Sequence, residues 1–546
     1  MTKASDNAPL LPSQQQPQQE EKERSVLFLR FVAFSVAFSL AEAAVVACLS
    51  VATSVLDTYG SLSVGVLYAT FAIGTLFAGS LVRASGHNAL RPLLVGSIAG
   101  MGLFNLACWG IAIQAGGTFD DGRIPVSSTQ GLILLGVAII SGLADGLIWP
   151  AVGAYITMSA QKLSVERSQQ EEEAAAATVN YGSSENTADS SKMKKASYSI
   201  IDSYLPRDFH VLAGTLTAWF NVIFLSSLVL IHVYTYYAFR VQTYDGMLQA
   251  YTQIFVMTLV GIIIMFVAMA PASAEVEYEE PCNCINCPGT CGAATNNRSN
   301  SNADKPDAIS DTTNPILLAI GLTATEPALY HLVPSHIAYG LIDGLVFGFV
   351  ARHLVPNIAS VGILATVKSG TAILGTPLIT RLGNGPSTMG RINLVWYGNV
   401  LYLWCVLLVG LNLYWKNSPT VVLSNWFLWA NLIIIYMLDG LGFSTWQNNT
   451  SGALLSEIAP TLVPKGGGIN PAEVTAAVFT GCKASSGLAT ATAFFVAPFL
   501  PGYAVVGLGV TVALGALYVL RLAENKHIFI CTACQGWSFG HFRKRE

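Results

Sequence analysis

Twelve stretches of about twenty or more predominantly apolar residues run along this chain, at approximately 28–56, 62–82, 91–113, 130–159, 210–236, 250–271, 331–352, 357–381, 392–413, 424–455, 471–499 and 502–522. No other feature narrows the fold so far. Hydrocarbon offers the backbone no hydrogen bonds, so a chain crossing it must satisfy every N–H and C=O internally. Windows of this length are read as helices. The expected class is an all-α polytopic membrane protein of twelve transmembrane helices, with the lipid bilayer as its first partner. Composition agrees: 52% of residues are hydrophobic and 11% charged, against about 25% charged in a soluble domain. A net charge of −4 gives no reason to expect a nucleic acid partner. A polar tail of about 27 residues precedes a first segment too long for a signal-peptide core, so no cleaved leader is expected.

Lysine and arginine placement sets the expected orientation. With the N-terminus in the cytosol, Arg123, Arg240, Arg352 and Lys416 face outward, and Lys368 and Lys483 lie deep within segments. The other 22 of the 28 basic residues fall on the cytosolic side. The short loops holding Arg83 and Arg91, and Arg381 and Arg391, obey the rule, so both termini are expected to be cytosolic.

The segments divide six and six. The expected plan is a disordered tail at 1–27 and an N-terminal six-helix bundle at 28–271 with a cytosolic loop at 160–209. A cytosolic linker at 272–330 then leads to a C-terminal six-helix bundle at 331–522 and a tail at 523–546. Landmarks recur between the halves. Glu42 and Asp343 are 301 residues apart, Arg83 and Arg381 298, Asp145 and Asp439 294, and Trp149 and Trp446 297. They place segment 1 on 7, 2 on 8 and 4 on 10. Two related halves with a site near the midplane are a transporter plan.

Glu42, Asp145, Asp343 and Asp439 each stand near the middle of an apolar segment, the last three in the tripeptide Asp-Gly-Leu. A charge there costs about 2.5–3.5 kcal/mol on the milder insertion scales, so these residues, with Lys368 and Lys483, are expected to face a polar interior. Static pairs that fix helix packing are the alternative to a transport role. In segment 4, Trp149 is one turn beyond Asp145 and Pro150 removes the hydrogen bond to the carbonyl of Gly146. That free carbonyl marks a site for a cation or polar solute, or only a packing kink. In segment 10, Trp446, Gln447, Asn448, Asn449, Thr450 and Ser451 follow one another. Polar residues inside a span must meet protein, water or ligand, so Trp446, Gln447 and Asn448 join Trp149 as candidates to line a substrate site.

Several motifs resemble the Unc-93-like branch of the major facilitator superfamily. They are Leu62-Ser-Val-Gly-Val-Leu-Tyr68 with Arg83-Ala-Ser-Gly86 in segment 2, and Gly142-Leu-Ala-Asp-Gly-Leu-Ile-Trp149 with Gly153-Ala-Tyr-Ile-Thr157 in segment 4. Ile337 through Phe347 in segment 7 and Asp439-Gly-Leu-Gly-Phe-Ser-Thr-Trp446-Gln447 in segment 10 complete the set. Segment 1 departs from the pattern, carrying Glu42 where the family has an Asn- and Gln-rich stretch. The resemblance implies the major facilitator fold, with segments 1, 4, 7 and 10, and with them all four carboxylates, lining a central cavity that segments 8 and 11 also face. In that arrangement Lys368 and Lys483 balance Asp343 and Asp439 within the C-terminal half. Glu42 and Asp145 are left without a basic residue at their depth, and such carboxylates tend to take up protons.

Phosphate-loop, zinc-protease and serine-hydrolase motifs are absent, and neither enzyme activity nor a cofactor is expected. Cys282, Cys284, Cys287 and Cys291 cluster in the central loop, and Cys531 and Cys534 in the C-terminal tail. Their spacing matches no standard zinc module, so zinc, lipid attachment and no assigned role stay open. Asp6, Leu10 and Leu11 resemble an acidic dileucine sorting signal, which implies an endosomal, lysosomal or vacuolar membrane. The expected function is a secondary transporter of a small polar solute, proton-coupled and working by alternating access. The alternative is a non-transporting trafficking or channel-regulating partner of another membrane protein.

Overall fold

A computed structural model describes residues 12–116, 123–181, 209–240, 243–269, 315–384, 391–418, 425–447 and 471–525, with Ile458 and Leu462. Asp6, Leu10, Leu11, Asn448 and all six cysteines of the two clusters lie outside the described residues.

Among the described residues, eleven helices are long and apolar enough to cross a membrane. In chain order they are α1 (Ser25–Val55), α2 (Thr58–Ala78), α3 (Leu90–Gln114), α4 (Ser128–Ala160), α5 (Gly214–Phe239) and α6 (Tyr244–Ala268). They continue with α7 (Pro327–His353), α8 (Ile358–Leu382), α9 (Ile392–Asn417), α10 (Asn425–Gln447) and α12 (Gly502–Glu524). The remaining expected segment, α11 (Pro471–Val496), is an equally long helix of 26 residues. It carries Lys483, Ser486 and Thr490, all of them buried against protein rather than turned to lipid.

Helix α2 runs into α3 without a break in helical structure between Asp57 and Gln114. The chain nevertheless reverses: Thr70 Oγ1 reaches the Ala138 carbonyl at 3.5 Å, while the Gly100 carbonyl accepts from Ser141 Oγ at 3.0 Å. A straight helix rising about 1.5 Å per residue cannot bring positions so far apart to one turn of α4. Entry to α6 is fixed by Thr243, whose hydroxyl accepts from the Gly246 N–H at 3.2 Å, an N-cap that relieves one orphan donor.

Three stretches expected outside the membrane helices are partly helical. The first helix begins at Pro12, the fourth membrane helix continues to Tyr181, and a separate short helix spans Pro315–Thr325. The first two extensions are rich in Gln, Glu, Lys and Ala, residues that favour helix even when polar. The third packs on α11 and on the continuous helix Asp57–Gln114, so tertiary contact holds a segment that the linker's overall polarity concealed.

The two halves meet along α2 with α11 and along α5 with α8. Tyr68 stacks on Phe494 at 5.8 Å with 3° between the ring planes. Within the halves the same packing joint is built twice. A Cβ on Gly142 would lie 2.1 Å from the Leu67 carbonyl oxygen and from Thr70 Oγ1. A Cβ on Gly440 would lie 2.2 Å from the Lys368 carbonyl oxygen and from Thr371 Oγ1. Thr70 and Thr371 each also bond back to carbonyls of their own helix, Thr70 to Val66 and Leu67, and Thr371 to Val367 and Lys368.

This joint corrects the register read from the sequence. It pairs Gly142 with Gly440 at an offset of 298 residues, and Thr70 with Thr371 at 301. Asp145 therefore corresponds to Phe443, and Asp439 to Ser141. The shared Asp-Gly-Leu tripeptide is displaced by one helical turn between the halves and does not mark equivalent positions. Leu67 stands where the C-terminal half has Lys368.

Candidate functional site

Between the halves lies a cavity of about 130 Å³, comparable to a site that admits one benzene-sized molecule. Its walls come from both halves. Glu42, Tyr68, Asp145, Trp149, Phe224 and His232 contribute from the first, and Tyr339, Asp343, Lys368, Trp446, Gln447 and Lys483 from the second. Each helix reaches the cavity with one stripe while its other faces meet neighbours or lipid, as exposed Leu132, Ile133 and Leu230 show. Helix α7 carries a π-helical turn at Val346–Val350, just beyond Asp343, and residues 445–447 of α10 are π-helical at the cavity's edge. Such turns interrupt regular bonding and recur at functional sites.

The charges fall into two groups. In the first, Lys368 is shared by two carboxylates: its ammonium pairs with Asp343 and lies 2.8 Å from Asp439 Oδ2. The Phe347 ring covers Lys368 at 4.0 Å and the Phe443 ring at 5.6 Å. Asp439 is fully buried, so it stands behind the lysine and outside the cavity wall. Burying charges is expensive and is offset only by close pairing of this kind.

The second group spans the two halves. Lys483 on α11 is 7% exposed, Glu42 on α1 5% and Asp145 on α4 6%. The Lys483 ammonium sits over two indoles, 4.4 Å from the Trp149 ring centre and 4.2 Å from that of Trp446. It donates to Gln447 Oε1 at 3.3 Å, and Gln447 Nε2 in turn approaches Asn221 Oδ1 at 3.5 Å. Lys483, Asp145 and Glu42 line the same cavity, but no ion pair within 4.0 Å joins them among the described residues. Glu42 Oε2 and Asp145 Oδ1 are buried without a hydrogen-bond partner. The expected pairing of Lys483 inside its own half is thus corrected. Lys368 serves both aspartates of that half, and Lys483 faces the carboxylates of the other.

Trp446 is held from behind. Its indole N–H donates to His336 Nδ1 at 2.9 Å, and its ring stacks on Tyr339 at 3.8 Å and 14°. An accepting Nδ1 requires the imidazole proton on Nε2. Trp149 is wedged against Phe38 at 5.3 Å and Phe224 at 6.0 Å, both edge to face. Gly146, whose carbonyl Pro150 leaves without its helical bond, packs against the backbone at Phe71 and Thr75, which supports the packing reading of that kink.

The six charged candidates, with Trp149, Trp446 and Gln447, are therefore gathered at the cavity or directly behind it. Sequence reasoning passed over His232, His336 and Tyr339. The two histidines carried the same signal as the carboxylates, an ionisable group in an apolar segment, but a search for formal charge excludes neutral imidazoles. Tyr339 carried none, since tyrosine is ordinary in such segments.

No family model matches the chain, and no curated protein matches it. Solved structures do. A crystal structure of a variant of the nucleoside transporter NupG superposes with a TM-score of 0.52 at 11% identity, covering 91% of this chain and 99% of that one. The partially occluded inward-open conformation of the xylose transporter XylE from E. coli superposes with a TM-score of 0.51 at 11% identity, covering 90% and 96%. At such identity the likeness is one of fold: this chain has the major facilitator fold, with two six-helix bundles around a central cavity.

Proposed function

We propose that this protein is a secondary transporter that carries a small polar solute across a membrane by rocking its two bundles about the central cavity, with protons as the coupling ion. The observation that carries this reading is the Glu42, Asp145 and Lys483 group. Charges from both halves face one small cavity without being consumed by contact with each other. A static packing device would close such charges into direct pairs, as Lys368 does with Asp343 and Asp439. Two proteins of the same fold transport a nucleoside and xylose, which supports transport as the activity. The absence of a direct ion pair on Glu42 or Asp145 supports proton coupling, because an unpaired carboxylate is a natural proton carrier. We place the chain in the Unc-93-like branch on the motifs of α2, α4, α7 and α10. Cytosolic termini rest on the distribution of Lys and Arg, and an endosomal, lysosomal or vacuolar membrane on Asp6, Leu10 and Leu11.

The test is uptake of a solute panel into vesicles holding the purified protein, with and without an imposed pH gradient, wild type beside Asp145→Asn. Gradient-driven uptake that the variant loses is the expected result. If folded, correctly inserted protein moves no solute under either condition, the transporter reading falls and a partner role for another membrane protein takes its place.

A further inference from the structure

Beyond the Lys368 group the cavity is lined by ionisable groups of both signs, and among the described residues none of them is closed into an ion pair within 4.0 Å. Lys368 is already satisfied by two carboxylates, which leaves Lys483, Glu42 and Asp145 in the lining of the cavity. Each of these three is more than nine-tenths buried. Each carboxylate keeps one oxygen with no partner. The lysine's contacts are two aromatic faces and one amide oxygen, none of which supplies negative charge. Leaving buried charges incompletely paired is costly, and a ligand that completes them would recover that cost.

We infer that the solute is a small aminocarboxylate zwitterion. Its ammonium would bind between Glu42 and Asp145, its carboxylate would bind Lys483 with help from Gln447, and its apolar part would rest on Trp149, Tyr339 and Trp446. This rests on the transporter reading of the same cavity and narrows it. A neutral sugar or nucleoside satisfies neither sign. A simple amine leaves Lys483 unanswered, and a simple carboxylate adds an anion beside two. The cavity volume of about 130 Å³ limits the solute to roughly the size of a benzene-ring compound.

The discriminating experiment uses the full chain reconstituted in vesicles and four radiolabelled probes on one carbon skeleton: leucine, leucinamide, 4-methylpentanoate and isoamylamine, with glycine, xylose and uridine beside them. Thermal-shift binding to the detergent-solubilised protein is measured in parallel. Leucine or glycine should bind and enter. Loss of either the carboxylate or the amine should lower uptake at least tenfold, because a site built for a polar group strongly rejects a ligand lacking it. Lys483→Gln should narrow the gap between leucine and leucinamide, and Asp145→Asn the gap between leucine and 4-methylpentanoate, which a structural defect would not do selectively. Uptake of xylose or uridine with no zwitterion taken up overturns the inference and leaves the transporter reading standing. Zwitterion binding without flux supports the site and removes the transporter. Neither binding nor flux for any zwitterion overturns the inference.

Discussion

Lys483, on the eleventh membrane helix, lies 4.4 Å from the ring centre of Trp149 on the fourth. It is a cation of one half resting on an aromatic face of the other, in the wall of the cavity. On the proposed transport reading, rocking one bundle against the other changes this contact.

Replacing Lys483 should therefore affect transport more than folding. A cation–π contact of this kind contributes about 0.5–2 kcal/mol, which a membrane protein of this size tolerates. Lys483→Met should reach its membrane and keep a thermal midpoint close to wild type, while initial uptake falls about tenfold or more, a loss of about 1.4 kcal/mol or more in transition-state stabilisation. Parallel uptake and thermal-denaturation curves on one preparation check this. A midpoint collapse matching the loss of uptake would make Lys483 structural.

Lys368 should behave in the opposite way. Removing it leaves Asp343 and the fully buried Asp439 without their cation, and breaking a buried pair costs about 3–5 kcal/mol. Lys368→Met should fail to give a monodisperse peak on size exclusion. The triple variant Asp343→Asn, Asp439→Asn, Lys368→Met should recover most of the stability, since removing all members of a buried network is often nearly neutral.

The paired glycine joints offer a test of the internal repeat. Gly142→Ala and Gly440→Ala each push a methyl group into a backbone carbonyl a little over 2 Å away, and overpacking of this sort costs about 1–3 kcal/mol. The two variants should lower the thermal midpoint by similar amounts. If one is silent, the halves are not packed alike at this joint.

His336 positions Trp446 through one hydrogen bond of 2.9 Å. A buried bond of this type contributes about 1 kcal/mol, or roughly fivefold in affinity. His336→Gln preserves an acceptor and should keep KM for uptake near wild type. His336→Leu should raise KM several-fold with a smaller change in maximal rate. Equal KM values for the two would place the imidazole outside the solute's binding energetics.

Much of this architecture was legible beforehand. The windows of apolar residues located the helices, with α6 beginning some residues early at Tyr244 because Thr243 caps it. The ionisable residues in those windows marked the cavity, since hydrocarbon tolerates them only on faces turned inward. The short helix Pro315–Thr325 was not legible, because it is held by contacts with α11 and with the continuous helix Asp57–Gln114.

The sequence by itself determined which segments cross the membrane and which side chains must turn inward, because both follow from the cost of polar groups in lipid. Only the tertiary structure decided who meets whom. Helical periodicity states the face a residue occupies and is silent on the register between helices. For that reason Asp145 and Asp439, which open the same tripeptide, stand a turn apart in their respective halves. Lys368 takes both aspartates of its half, and Lys483 joins Glu42 and Asp145 of the other half in the wall of the cavity.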